Sequence, residues 1–284
     1  MISLKNIVIH RNLQKPILLD AYYLENEQPK PIVVFCHGYK GFKDWGAWES
    51  MAKQFAEAGL CFIKFNFSHN GGSIEQPVDF PDLKAFGHNN YSIELNDLAH
   101  VLDWVCESNN LNTNINFENI SLIGHSRGGG VVSIKAEEDS RIKKVITLAG
   151  VSDFKARFNE GSNAFIEWKE KGVKYVLNGR TLQQMPHYYQ FYEDFMKNEK
   201  RLTIKRAVSN LTIPHLIIHG SEDTSVLVEE AKALHKWNPK SKLAIIKNAN
   251  HVFGVSHPWN ESLLPDEFKK AIDLMLDFIK NGHI

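Results

Sequence analysis

One short stretch constrains the fold of this chain more than any other. An apolar run, Ile120–Ile123, leads into Gly-His-Ser-Arg-Gly at residues 124–128, and a helix-like segment, Val131–Glu138, follows. Gly-x-Ser-x-Gly between a strand and a helix predicts a sharp turn whose flanking glycines avoid collisions and whose serine has a strained backbone. The turn would present the Ser126 hydroxyl at a helix N-terminus, where backbone N–H groups can receive an oxyanion. An incidental serine in a glycine-rich turn is the alternative interpretation.

Composition limits the classes of protein to which the chain can belong. A length of 284 residues and a hydrophobic content of 43% suit one large α/β domain with a sizeable core. Basic and acidic residues number 33 each, so no basic excess favours binding to nucleic acid or to an anionic membrane surface. The sequence has neither an apolar run of membrane-spanning length nor the continuous apolar segment of a signal peptide. We therefore expect a soluble, cytoplasmic protein, and composition indicates nothing about its oligomeric state.

The cysteines do not suggest a disulfide framework or a metal centre. Their number is odd (Cys36, Cys61 and Cys106), and no Cys-x-x-Cys motif occurs. We interpret them as small buried hydrophobic residues. The chain also lacks the Gly-x-Gly-x-x-Gly and P-loop patterns, so we expect neither a metal nor a cofactor.

Strand-like and helix-like segments alternate along most of the chain. Two early strands separated by a polar turn predict an antiparallel pair, and the later alternation predicts a mostly parallel, doubly wound α/β sheet. The predicted strands span residues 2–9, 16–24, 31–36, 60–67, 120–123, 144–149, 213–220 and 242–246. The predicted helices span residues 48–58, 91–107, 131–138, 225–237 and 266–280, and a polar loop is predicted over residues 74–90.

Residues 152–210 interrupt this alternation. They are rich in aromatic and charged residues and contain helix-like fragments, but no clear parallel strand. We predict that they form a helical cap inserted into a core domain that comprises residues 1–151 and 211–284. The aromatic residues of this segment either pack the cap onto the core or line a pocket.

The candidate catalytic residues follow predicted strands, at the edge of the sheet where such folds bind ligands. A serine needs a base to remove its proton, and the base needs an acid to orient it. His251, after the last strand, is the candidate base, and His257 is its substitute. Asp223, after the preceding strand, is the candidate acid. Glu222 is its rival, and capping of the next helix is the alternative role for Asp223.

Two backbone N–H groups are expected to form the oxyanion hole that acyl transfer requires. One belongs to Arg127, which follows the serine, and the other to Tyr39, in the loop after the strand that ends at Cys36. Gly38 would let this loop approach the substrate, and an ordinary glycine turn is the alternative.

Two further side chains are candidates for substrate binding. Trp45 lies in the same loop as Tyr39 and would suit a flat or hydrophobic acyl group. His125 precedes the serine, although this position, like that of His219 at a strand end, also suits a structural role. Which residues of the cap line the pocket stays open.

The chain resembles the α/β-hydrolase superfamily. The resemblance rests on His-Gly at residues 37–38, Gly-His-Ser-Arg-Gly at 124–128, His-Gly-Ser-Glu-Asp at 219–223 and Asn-His at 250–251. Residues 37–45 and 66–71 are similar to bacterial members near the dienelactone hydrolases, the feruloyl or cinnamoyl esterases and the acyl-peptidase-type hydrolases. The resemblance implies an α/β-hydrolase fold and five roles: Ser126 as nucleophile, His251 as base, Asp223 as acid, and Tyr39 and Arg127 as oxyanion donors. The dienelactone hydrolases proper use a cysteine nucleophile, which this chain lacks.

These residues predict a serine hydrolase, in particular a carboxylesterase that cleaves a small acyl ester through an acyl-enzyme. A peptidase or aminopeptidase on the same triad is one alternative, and it would need acidic or polar groups to bind a substrate amine. A non-catalytic binding protein on a hydrolase scaffold is the other. A dehalogenase is not expected, because such enzymes resemble this fold but carry aspartate at the position of Ser126.

Overall fold

A mixed sheet forms the centre of the molecule in this computed structural model, which describes residues 1–107, 111 and 114–282. The strands of the sheet are β1 (Ile2–Ile9), β2 (Ile17–Tyr23), β3 (Lys30–Cys36), β4 (Cys61–Asn66), β5 (Ile115–His125), β6 (Ile142–Leu148), β9 (His215–Gly220) and β10 (Lys242–Ile246). A separate antiparallel hairpin contains β7 (Val173–Leu177) and β8 (Gln184–Tyr188). Residues 108–110, 112–113 and 283–284 of the predicted core domain lie outside the described residues.

The order of strands in the sheet is β1-β2-β4-β3-β5-β6-β9-β10. β2 pairs antiparallel with both β1 and β4, and the other neighbouring strands are parallel. The predicted antiparallel pair at the N-terminus and the mostly parallel sheet are therefore confirmed. Because the strands from β3 onward run in one direction, their carboxyl ends meet at one edge of the sheet.

Helices cover both faces of this sheet. The helices are α1 (Trp48–Glu57), α2 (Leu83–His88), α3 (Tyr91–Cys106), α4 (Arg127–Glu138), α5 (Asn163–Lys171), α6 (Gln190–Lys197), α7 (Glu199–Leu202), α8 (Ile204–Asn210), α9 (Val228–Trp237) and α10 (Asp266–Asn281). Successive residues of β3 belong to opposite cores: Val34 and Cys36 pack in one, and Val33 and Phe35 in the other. This two-sided burial explains why β3 is a continuous apolar run rather than an alternating one.

The structure corrects two predicted helix starts, one predicted loop and the start of β5, which lies at Ile115 rather than at residue 120. α4 begins at Arg127 rather than at residue 131, so the glycines that follow Arg127 belong to its first turn. Glycine suits these positions because the helix passes close to neighbouring elements: a Cβ at Gly130 would lie 2.6 Å from the Phe154 ring. The predicted loop over residues 74–90 contains α2, whose N-terminus is capped by the Asp82 side chain. α9 begins at Val228 rather than at residue 225.

The predicted cap segment, residues 152–210, contains the expected helices together with the unpredicted β7–β8 hairpin and a short 3₁₀ helix, Lys155–Phe158. The hairpin is short, and its turn is held by the Asn178 side chain, which accepts hydrogen bonds from two backbone N–H groups.

Aromatic packing joins residues 152–210 to the rest of the molecule. The rings of Phe154 and Tyr91 are stacked with centroids 3.7 Å apart, and both side chains also line a cavity, so Phe154 has both of the roles considered for these aromatic residues.

Candidate active site

Ser126 occupies a strained turn between β5 and α4. Its φ and ψ are 56° and −118°, in a region that residues with a side chain rarely adopt. The backbone of Ser126 is fixed by three hydrogen bonds: its N–H donates to Leu148 O, and its carbonyl accepts from the N–H groups of Gly129 and Val151. These contacts hold the serine in place although its conformation is unfavourable.

The glycines on either side of Ser126 make this turn possible. A Cβ at Gly124 would lie 2.2 Å from the carbonyl oxygen of Gly128. A Cβ at Gly128 would lie 2.4 Å from the carbonyl oxygen of Cys36, at the end of β3. Both distances are far below van der Waals contact, so the collisions expected from the sequence pattern are present in the structure.

His251 and Asp223 lie together after adjacent parallel strands. Asp223 follows β9 and His251 follows β10, and His251 Nδ1 donates a hydrogen bond of 2.7 Å to Asp223 Oδ2. The Asp223 side chain is fully buried, whereas that of His251 is 20% exposed. A proton on Nδ1 leaves Nε2 of His251 free to act as a base. Glu222, the rival acid, is exposed at the surface.

Asp223 also holds its own loop. Its Oδ1 accepts hydrogen bonds of 2.9 Å from the backbone N–H groups of Ser225 and Val226, in the loop before α9. The N-cap of α9 is Leu227, without a side-chain cap hydrogen bond, so the alternative that Asp223 caps this helix is wrong. His219 adds a contact that sequence reasoning missed: its Nε2 donates to Val226 O at 2.8 Å and lies 3.3 Å from Asp223 Oδ2. Although burial opposes ionisation, the hydrogen bonds from His219 and His251 hold the pKa of Asp223 below its usual range.

Ser126 and His251 line the same two cavities. Among the side-chain hydrogen bonds of the described residues, none joins the Ser126 hydroxyl to the His251 imidazole. Hydrogen bonds between a nucleophile and its base commonly tighten only in the complex with substrate. The structure thus places the two groups at one site with the acid already paired to the base.

The loop after β3 lies directly against the serine. A Cβ at Gly38 would lie 2.8 Å from the Cβ of Ser126, so only glycine allows the loop to approach this closely. Tyr39 follows in this loop, and Arg127 is the first residue of α4, where backbone N–H groups have no acceptor within the helix. The two predicted oxyanion donors therefore come from segments that flank the same hydroxyl.

A buried cluster of charges, which sequence reasoning missed, anchors the far end of this loop. Lys43 Nζ lies 2.8 Å from Asp20 Oδ1 and 2.6 Å from Asp44 Oδ2. Lys64 Nζ lies 2.8 Å from Asp20 Oδ2 and also contacts Asp44. Asp20 and Lys64 belong to β2 and β4, so the cluster ties the loop to the sheet. Although burial opposes it, Lys64 and Lys43 lower the pKa of Asp44 to about 2.

Trp45 and His125 both line the smaller cavity, which has a volume of 190 Å³. The Trp45 ring stacks on His257, whose Nδ1 accepts a hydrogen bond of 2.9 Å from the Gly46 N–H. His125 Nε2 donates a hydrogen bond of 3.0 Å to the carbonyl oxygen of His251, and burial lowers the pKa of His125 to about 3. His125 therefore contacts the backbone of the candidate base, and His257 supports the loop that carries Trp45.

The larger cavity, of 440 Å³, lies between the sheet edge and the cap segment. Ser126, His251 and Val226 line it from the sheet side. From the other side it is lined by residues that sequence reasoning could not single out: Tyr91, Phe154, Phe158, Phe191, Lys174 and His187. The lining is thus mainly aromatic and aliphatic, as is usual for sites that bind small molecules.

The Arg127 side chain enters this cavity within a cage of aromatic rings. Its guanidinium carbon lies 4.5 Å from the centroid of the Tyr39 ring, and the rings of Tyr91 and Phe191 are 5.5 Å and 5.3 Å away. Its Nη1 lies 3.4 Å from Glu94 Oε1. Burial raises the pKa of Glu94, whereas the nearby carboxyl group of Glu94 raises the pKa of Arg127 against the effect of burial.

Within residues 1–107, 111 and 114–282, no cluster of three His, Cys, Asp or Glu side chains is arranged to hold a metal ion. None of the helices in the same ranges combines the length and the apolar character needed to cross a membrane.

Comparison with known families agrees with this architecture. A sequence model of the alpha/beta hydrolase fold matches residues 31–181, more than half of the chain. The chain belongs to the α/β-hydrolase fold family. The matched region of this family member includes the Ser126 turn, whereas Asp223 and His251 lie beyond it. The family predicted from the sequence is confirmed.

A curated relative of this α/β-hydrolase fold protein comes from Escherichia coli and is described as an uncharacterized 31.7 kDa protein in the traX-finO intergenic region. The two sequences are 24% identical over 146 residues. The match covers 51% of this chain and only 46% of the relative's length.

Solved structures share the fold over most of the chain. Est1E from Butyrivibrio proteoclasticus, of which one structure contains ferulic acid, superposes with a TM-score of 0.69 at 17% identity, covering 98% of this chain and 97% of Est1E. A dienelactone hydrolase from Anabaena variabilis gives a TM-score of 0.63 at 14% identity, with 98% and 97% coverage. A puromycin-hydrolyzing peptidase from Mycobacterium tuberculosis gives 0.65 at 14% identity, covering 94% of this chain and 37% of the peptidase. At these identities the likeness concerns the fold.

Proposed function

We propose that this protein is a serine hydrolase that cleaves small carboxylic esters through an acyl-enzyme intermediate. The observation that carries the proposal is the 2.7 Å hydrogen bond between His251 and the buried Asp223, next to a serine in a strained turn. A buried carboxylate in this position orients the imidazole and stabilises its protonated form during catalysis. A buried carboxylate that orients a histidine beside a strained serine has little purpose in a protein that only binds ligands.

In the proposed first step, the Ser126 hydroxyl attacks the carbonyl carbon of the ester while its proton passes to Nε2 of His251. The backbone N–H groups of Arg127 and Tyr39 receive the negative charge that develops on the carbonyl oxygen. The intermediate then collapses: the bond to the alcohol oxygen breaks, and the alcohol takes the proton from His251. The acyl group stays on Ser126.

In the second step, water replaces the alcohol. His251 takes a proton from the water, the resulting hydroxide attacks the acyl carbon, and the bond to Ser126 breaks as the serine recovers its proton. Asp223 stays ionised throughout, which agrees with the low pKa that its hydrogen bonds impose. The two cavities that meet at Ser126 would hold the acyl and alcohol parts of the substrate.

Charges near the serine favour an ester over an aminopeptidase substrate. The described residues that line the two cavities include no Asp and no Glu. A substrate with a free ammonium group would meet Arg127 and Lys174 in the larger cavity, and like charges repel. The aminopeptidase alternative therefore lacks the acidic group that it requires.

The proposal is tested with 4-nitrophenyl butyrate and with a fluorophosphonate probe that labels activated serines. We expect the wild-type protein to hydrolyse the ester and to be labelled, and Ser126→Ala to lose both properties. Ser133→Ala is the matched control, since Ser133 lies on α4 with its hydroxyl bonded to Gly129 O. Hydrolysis that persists in Ser126→Ala, or a folded wild-type protein that neither reacts with the probe nor cleaves esters, would overturn the proposal.

A further inference from the structure

The larger cavity has an uneven distribution of charge. Its described lining contains three cationic side chains, Arg127, Arg157 and Lys174, and no carboxylate. Two of these cations are paired with carboxylates just behind the lining: Arg127 with Glu94 and Arg157 with Glu230. The third, Lys174, is in a different situation.

Lys174 lines the cavity without a carboxylate partner among the residues that the structure describes. Its Nζ lies 3.8 Å from the centroid of the Trp168 ring, which attracts the cation but offers no lone pair to its N–H groups. Burial lowers the pKa of Lys174, and a nearby anion would favour its charged form. The ammonium group therefore has donors to spare inside a partly buried site.

The strand that carries Lys174 places it in the wall of the larger cavity. Lys174 and Val176 lie on one face of β7 and both line the cavity, while Tyr175, between them, is 60% exposed. Lys174 is paired in register with His187 of β8, and His187 Nε2 is hydrogen-bonded to the Tyr39 hydroxyl at 2.7 Å. Lys174 thus lies on the cap side of the cavity, next to the loop that flanks Ser126.

We propose that the larger cavity takes the part of an ester substrate that carries an anionic group, such as a carboxylate, and that Lys174 binds this group. This inference rests on the proposed esterase function and adds the substrate class to it. The aromatic lining would hold an apolar stem between the ester and the anion. Arg127 and Arg157 add positive potential to the cavity, but their carboxylate partners neutralise most of it.

The test compares anionic and neutral esters of matched shape. With the charge on the acyl part, the pair is mono-4-nitrophenyl adipate and 4-nitrophenyl hexanoate. With the charge on the alcohol part, the pair is 4-acetoxybenzoate and its methyl ester. For each pair, the ratio of kcat/KM for the anionic over the neutral ester is measured in the wild type, Lys174→Met, Lys174→Arg and Lys171→Met.

We expect Lys174→Met to lower this ratio at least about tenfold in one of the two pairs, because a hydrogen bond to a charged group is lost. Lys174→Arg should keep the ratio within about threefold, since it retains the charge. Lys171→Met removes a cation from the outer surface of the cap segment and should leave the ratio unchanged. A ratio that Lys174→Met does not move in either pair overturns the inference.

Different results would show that the anion site is wrong and that the esterase function is wrong. If the wild type and Lys174→Met cleave neutral esters equally well and show the same anionic-to-neutral ratio, the esterase function stands and the anion site is wrong. If the folded wild type cleaves none of the four esters, the esterase proposal itself is wrong.

Discussion

The two walls of the larger cavity are built in different ways. The sheet-side wall carries Ser126 and His251 on short loops at the carboxyl ends of strands, where backbone hydrogen bonds and close glycine contacts fix them. The cap-side wall carries Phe158, Lys174 and His187 on short elements that are held mainly by aromatic packing. The candidate catalytic residues are therefore positioned by their direct connection to the strands of the sheet, whereas the cap-side lining residues are positioned by how one segment packs onto another.

The largest effect should come from replacing the candidate acid Asp223, which is buried behind the sheet-side wall and holds His251. We expect Asp223→Asn to lower kcat/KM for 4-nitrophenyl butyrate by about 10⁴-fold, because an amide no longer holds the His251 imidazole in the required tautomer. Glu222→Gln is the matched control, since Glu222 is adjacent in sequence but exposed, and it should retain wild-type activity. Equal activity of the two variants would contradict the assignment of the acid.

The same contrast explains how much could be predicted from the sequence. Ser126, Asp223 and His251 each follow a predicted strand, so alternation of strands and helices was enough to bring them to one edge of the sheet. The choice of Asp223 over Glu222 depends on which side chain turns inward, and the structure buries Asp223. Periodicity could also locate α3, but not the short β7–β8 hairpin, whose residues 173–177 show no regular burial pattern.

The residues of the cap-side wall could not be predicted for a physical reason. Their burial depends on contacts between residues far apart in sequence, such as the stacking of Phe154 on Tyr91. Aromatic composition marked residues 152–210 as unusual but did not distinguish Phe158, which lines the cavity, from Phe165, which does not. The Lys43–Asp20–Lys64–Asp44 cluster was missed for the same reason, because its charges come from three separate segments.

A smaller effect should follow from weakening this cluster, which ties the sheet-side loop to β2 and β4. The pKa of Asp44 is about 2 in the folded protein, below its ordinary value of 3.8. A carboxyl group with a depressed folded pKa stabilises the native state above its unfolded pKa and loses this contribution as pH falls through the folded value. We therefore expect Asp44→Asn to lower the free energy of unfolding by about 2 kcal/mol at pH 7, with the difference shrinking between about pH 4 and pH 2.

Urea unfolding of the wild type and Asp44→Asn at pH 7, 5 and 3 measures this difference. Asp266→Asn is the control, because Asp266 is 83% exposed and its contact with Lys269 is a surface pair. A destabilisation by Asp44→Asn that is as large at pH 3 as at pH 7 would contradict an origin in the ionised Asp44 carboxylate.

The smallest expected effect is the coupling free energy of the hydrogen bond that joins the two walls, between the Tyr39 hydroxyl and His187 Nε2. Burial raises the pKa of Tyr39 to about 12 and lowers that of His187 to about 3, so both groups are neutral at pH 7. Because each single variant, Tyr39→Phe or His187→Phe, leaves a buried polar partner unsatisfied, each should cost about 1–3 kcal/mol of unfolding free energy. The double variant should cost less than the sum, with a coupling of about 1 kcal/mol.

Tyr175→Phe is the control, because Tyr175 lies on the exposed face of β7, and it should leave the free energy of unfolding unchanged. If the effects of Tyr39→Phe and His187→Phe are additive, the two walls are not coupled through this hydrogen bond.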